Sequence, residues 1–196
     1  NKTWESKSGN SADINLLLIN ILNQAGIKVT PILFSTRLNG LVSSGYPTIK
    51  QFNAVMAYVE AENKSFILDA TDKYINYNMV PAAVVNTQGL LLKGEEGMWK
   101  EILNGKYKYK VMAAVQAEID ANGNMKGNGL VNCYDYARLQ RCKSYFSDKQ
   151  KFKENYFIKP YQSLSINDIT INNTDADSLP LEQKINFNSK LNSSGA

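Results

Sequence analysis

The 196-residue chain contains no histidine. That absence removes imidazole acid–base chemistry, the Ser-His-Asp and Cys-His arrangements, and the commonest metal ligand. Cysteine is nearly absent too: Cys133 and Cys142 are the only two. Two thiols cannot build a zinc site alone, and their spacing is not Cys-x-x-Cys. They read as idle thiols; the alternative, a disulfide, would close only a small local loop. No cofactor is implied. No run of about 18 apolar residues occurs, so no membrane-spanning helix is expected. No signal-peptide pattern is visible either. The abrupt start at Asn1-Lys2-Thr3-Trp4 reads as a piece of a longer protein, with any signal peptide upstream.

A strong charge imbalance is also lacking. The net charge of +4 is too mild, and the basic residues too dispersed, for a nucleic-acid partner. Lys106, Lys108 and Lys110 alternate as on a strand and read as a solvated face. What is present is 43% hydrophobic residues, enough for a real core. The length fits one large or two small domains.

Residues 10–26 predict a helix. Ile14, Leu17, Leu18, Ile21, Leu22 and Ala25 recur on one face. Asn10 or Ser11 can cap it, Asp13 suits its positive first turn, and Gly26 supplies the stop. Strands are expected over 27–36, 52–60 and 65–71, with a tight hairpin at Ala61-Glu62-Asn63-Lys64. Residues 84–93 suggest short strands around Gln88-Gly89. The polar stretch 93–105 around Trp99 is read as a domain boundary. Beyond it, 106–119 and 125–133 predict a hairpin across Asp120-Ala121-Asn122-Gly123-Asn124, with a bulge or twist at Gly127 and Gly129. Residues 134–155 are helix-permissive, and 164–172 and 181–187 look like further strands.

Three segments then stand in a meaningful order: Gly9-Asn10-Ser11-Ala12-Asp13 opening the apolar helix, the strand Phe52-Asn53-Ala54-Val55, and Leu68-Asp69-Ala70-Thr71. Together, over roughly residues 4–80, they resemble the core of the transglutaminase-like (papain-related) superfamily. The resemblance extends to envelope proteins of Gram-negative bacteria that carry such a core between two β-rich domains, where Arg37 matches an arginine after the first strand. It implies an α+β fold: a transglutaminase-like domain over 1–100, its helix packed on an antiparallel sheet, then a β-rich, sandwich-like domain over 105–196. The upstream domain would be missing from this fragment.

In that superfamily a cysteine at the helix N-terminus is the nucleophile, activated by the helix dipole and by a strand histidine that an aspartate orients. Here Ser11 stands at the cysteine position, Asn53 at the histidine position and Asp69 at the aspartate position. A neutral amide cannot take a proton, so Ser11 has no base there. Only Asp13 or Asp69 remains as a substitute base. The expectation is a pseudoenzyme of the periplasm or cell envelope that binds a peptide, glycan or partner protein, with Arg37 and Asp13 as binding candidates. The competing functions are a hydrolase or acyltransferase using Ser11, and a structural β-domain assembly protein. Each residue also has a plainer role: Ser11 as a cap, Asn53 and Asp69 as cross-strand hydrogen-bonding groups, Arg37 as an ion-pair partner of Asp13 or Asp69. Tyr74, Tyr77, Tyr107 and Tyr109 suit stacking on a glycan or peptide, or ordinary packing.

Overall fold

The computed structural model describes residues 2–46, 48–94, 96–103 and 106–190. The chain forms two compact units, Asn1–Lys106 and Tyr107–Ala196, and is mixed α+β throughout.

In the first unit, α1 (Lys2–Ser6) and α2 (Ser11–Gln24) precede five strands: β1 (Val29–Phe34), β2 (Ala54–Ala61), β3 (Lys64–Leu68), β4 (Thr87–Lys93) and β5 (Glu96–Ile102). They form one antiparallel sheet in the order β3-β2-β1-β4-β5. Glu62 and Asn63 both take positive φ, as a two-residue hairpin between β2 and β3 requires. Pro31 sits in the central strand, where an N–H is normally needed. Pairing with β4 begins only at Ile32, which accommodates it.

One face of the sheet packs on α2, joining Ile19 to Val29, Ala57 and Val59, with Leu18, Leu22, Phe66 and Leu68 against them. The other face carries Ile32, Phe34, Met56, Tyr58, Ile67, Leu91 and Ile102, covered by Val84 of the segment before β4. The buried stripe of α2 is rotated from the one the apolar residues predict. Ile21 is 42% exposed, whereas Asn15 is 1% exposed.

The 93–105 stretch expected as a boundary loop is largely strand. β5 pairs with β4 from Lys93↔Glu96 to Thr87↔Ile102. It looked unstructured because an edge strand keeps most side chains in water. Among the described side chains of β5, only Ile102 reaches the core, while Trp99 lies beside Phe52, ring centroids 6.1 Å apart.

The second unit contains β6 (Tyr109–Ile119), β7 (Asn124–Tyr134), α3 (Asp135–Ser147), α4 (Lys149–Lys153), a π-helical turn (Glu154–Ile158), β8 (Ser165–Asn172) and β9 (Leu181–Lys190). Its one sheet has the order β6-β7-β9-β8. The layer on this sheet is helical: Phe152 and Phe157 bury against Ile185 and Phe187. A second sheet, as a sandwich-like domain would have, is not found among the described residues. The charged 134–155 segment supplies a helical face instead.

Nor do Gly127 and Gly129 make a bulge. The β6–β7 register runs unbroken from Lys110↔Tyr134 to Ile119↔Met125. The glycines instead leave room for neighbours. A Cβ at Gly127 would lie 2.6 Å from both the Gln116 carbonyl and the Phe187 ring. Gly127→Ala should therefore cost about 1–3 kcal/mol through overpacking. Urea unfolding followed by circular dichroism measures this, and an unchanged midpoint would show that the sheet yields freely.

Candidate functional site

The N-terminus of α2 is closed by a capping box. The Asn10 side chain accepts from Asp13 N at 2.9 Å, and the Asp13 carboxylate accepts from Asn10 N at 3.2 Å. Asn10 is thus the cap, and Asp13 is occupied by it. Ser11 is the first helical residue. It is exposed, and its hydroxyl has no hydrogen-bond partner among the described residues.

One turn further, Asn15 enters the core and ties the helix to the sheet. Its Nδ2 donates to the Val55 carbonyl at 2.9 Å and to Asp69 Oδ1 at 3.0 Å, while its Oδ1 accepts from Ala70 N at 2.8 Å. Burying an amide is costly unless its groups are paired, and here three bonds meet that condition. Asp69 Oδ1 also accepts from Thr71 N at 3.0 Å and from Thr71 Oγ1 at 2.6 Å. The carboxylate therefore joins the end of β3 to α2.

Asn53 is engaged elsewhere. Its Oδ1 accepts from Thr36 N at 2.8 Å, and its Nδ2 donates to Thr36 Oγ1 at 2.9 Å. Continuing the β2–β3 register places Asp69 opposite Met56. Asn53 lies three residues further along, roughly 10 Å at strand spacing. No hydrogen bond among the described residues connects Ser11, Asn53 and Asp69 to one another. The structure unites Asp69 with the Ser11 helix through Asn15 and leaves Asn53 outside that contact.

Arg37 pairs with neither Asp13 nor Asp69. It lines a hollow of about 600 Å³ together with Leu41, Asn86, Gln88, Glu101 and Leu103. One side of the hollow is the stretch 35–42 of the chain leaving β1, held by side chains bonded to nearby backbone. Ser35 Oγ donates to the Gly40 carbonyl at 2.8 Å, and Gly40 takes φ +110, a conformation other residues rarely adopt. Gln51 accepts from Ser43 N at 2.6 Å and donates to the Tyr46 carbonyl at 2.8 Å. Asn39 Nδ2 donates to the Gln51 carbonyl at 3.1 Å. So braced, the 35–53 loop presents Leu38, Leu41, Tyr46 and Ile49 to solvent. Of the four tyrosines considered for stacking, Tyr77 and Tyr109 are exposed.

Sequence reasoning passed over Asn15 and Gln51. The signal for Asn15 was an amide four residues after Ser11, set between Ile14 and Leu16 of an apolar helix. For Gln51 nothing in the sequence distinguished it.

In the second unit Cys133 and Cys142 are buried, free thiols. Burial pushes both thiols up, away from thiolate formation, despite nearby arginines. Among the described residues, no group of three or more Cys, Asp or Glu side chains converges as a metal site would require, and no helix is long and apolar enough to cross a membrane. Compared with protein-family models, with curated proteins and with solved structures, the chain finds no match in any of the three.

Proposed function

We propose that the chain is a non-catalytic, transglutaminase-like module of a bacterial envelope protein, exposed to the periplasm or cell envelope, that binds an extended peptide segment in the hollow beside Arg37. The observation that carries it is the use of the catalytic positions for structure. Asp69 is taken up by Asn15 and Thr71, Asn53 by Thr36, and Asp13 by the helix cap. Among the described residues, no carboxylate is hydrogen-bonded to the Ser11 hydroxyl, as a base poised to take its proton would be.

The hollow has the mixture of groups that a peptide uses. Arg37 offers donors and a positive charge, Glu101 an acceptor, and Leu41 and Leu103 apolar surface. Neither Arg37 nor Glu101 is ion-paired among the described residues. The competing hydrolase reading is favoured by one observation, the free Ser11 hydroxyl at a helix N-terminus, where backbone N–H groups suit an oxyanion.

A titration of the isotope-labelled chain with a panel of hexapeptides ending in a free carboxylate tests the proposal by NMR. Shifts should map to the Arg37 hollow and weaken by about tenfold in Arg37→Ala, the loss expected for one charge-assisted contact. Peptides that shift nothing in the hollow, or shift Arg37→Ala equally, would count against it.

A further inference from the structure

β6 is a sheet edge whose only charged residues, Lys110 and Glu118, stand near its two ends. It is eleven residues long, its pairing with β7 is unbroken, and every residue along it is exposed. Val115 is 66% exposed and Ile119 is 60% exposed. Long apolar edges normally carry prolines, inward-facing charges or bulges that prevent pairing. The opposite edge of the same sheet has such guards: β8 breaks register between Ile166 and Asp168 and carries mostly polar outer residues. β6 has neither proline nor bulge.

The charge pattern of β6 names its occupant. Lys108 and Lys110 lie at one end, and Glu118 and Asp120 at the other. A parallel copy would put like charges side by side, whereas an antiparallel copy pairs opposite ones. Backbone chemistry restricts the register further. Along an edge, alternate residues turn their N–H and C=O groups outward, so paired residues of two identical strands must share parity. Among registers that satisfy this, the one centred on Ala114 pairs the full length of both strands. It places Lys110 opposite Glu118 of the second copy, twice by symmetry, and Lys108 opposite Asp120 just outside the strand. Val111, Ala113, Val115, Ala117 and Ile119 of both copies then share one face.

We infer that β6 is a homodimerisation edge, on which a second copy of this chain pairs antiparallel about a two-fold axis through Ala114 to give a continuous eight-stranded sheet. The closed two-fold arrangement uses each β6 edge once, so it ends at the dimer and does not grow into a filament.

Analytical ultracentrifugation of the full chain tests this through charge exchange. The unaltered chain should show a concentration-dependent monomer–dimer equilibrium. Lys110→Glu alone, or Glu118→Lys alone, sets like charges opposite each other twice and should weaken dimerisation about tenfold or more. Mixing the two single variants should restore a heterodimer, and so should combining both changes in one chain. Ala114→Cys should also form an intermolecular disulfide, because residue 114 faces its own copy across the axis, while Gln116→Cys should not. The native thiols, buried, do not compete. A chain monomeric at all concentrations would overturn the inference. So would a dimer indifferent to the charge exchange, which would place the contact elsewhere.

Discussion

Replacing Asn15 with leucine should destabilise the first unit by about 3–5 kcal/mol, although it exchanges a buried amide for an apolar side chain of similar size. The substitution takes the amide partner from the Val55 carbonyl and the Ala70 N–H, and removes one of three donors on Asp69 Oδ1, which keeps the two from Thr71. Each unpaired buried group costs about 1–3 kcal/mol, and the added apolar contact offsets only part of that sum. Asn15→Asp separates the causes. It keeps an acceptor for Ala70 but replaces the N–H donor to Asp69 with a second acceptor, so its penalty isolates the Asp69 contact. Denaturant unfolding monitored by tryptophan fluorescence provides the readout. A change below about 1 kcal/mol for the leucine variant would mean that Asp69 is not held as a structural link.

Phe152→Ala should cost the second unit about 3–5 kcal/mol and leave the first unit unmoved. Phe152 is fully buried, and its ring meets Tyr145, Tyr156 and Phe157 with centroids 5.5, 5.0 and 5.9 Å away. Truncation removes the ring around which this cluster is built. The two probes needed are already in the chain. Its only tryptophans, Trp4 and Trp99, both belong to the first unit, so fluorescence follows that unit alone. Circular dichroism follows both. The expected result is a lower second-unit transition by circular dichroism with an unchanged fluorescence transition. Coincident shifts would show one cooperative structure in place of two.

What could be read from the sequence follows from which side chains meet water on one side only. α2 was legible because its cap, apolar spacing and Gly26 all agree. The β2–β3 and β6–β7 hairpins were legible because Glu62-Asn63 and Asn122-Gly123 are strong turn formers. β5 was hidden because at a sheet edge its composition resembles a loop. The helical cover of the second sheet was hidden because α3 is rich in charge. Arg138, an α3 residue buried by its contacts, donates to the carbonyls of Asn173, Thr174 and Leu179, so it counts as core despite its charge.

At the candidate site the order of motifs led to an expected cluster of Ser11, Asn53 and Asp69; the bond that reaches the Ser11 helix runs from Asp69 to Asn15. Asn53 differs because its pairing with Thr36 depends on the conformation of the chain leaving β1, which local sequence does not specify. The Arg37 hollow depends on a loop braced by Asn39, Gly40 and Gln51, residues whose partners lie 4 to 12 positions away. Such contacts have no periodic signature.

The central claim is that Ser11 has no base and performs no covalent chemistry. Incubating the full chain with a fluorophosphonate, which phosphonylates activated serines, and weighing the intact protein tests it most directly. The account predicts an unchanged mass after prolonged exposure. A stoichiometric adduct mapping to Ser11, and lost in Ser11→Ala, would contradict it and establish Ser11 as an activated nucleophile.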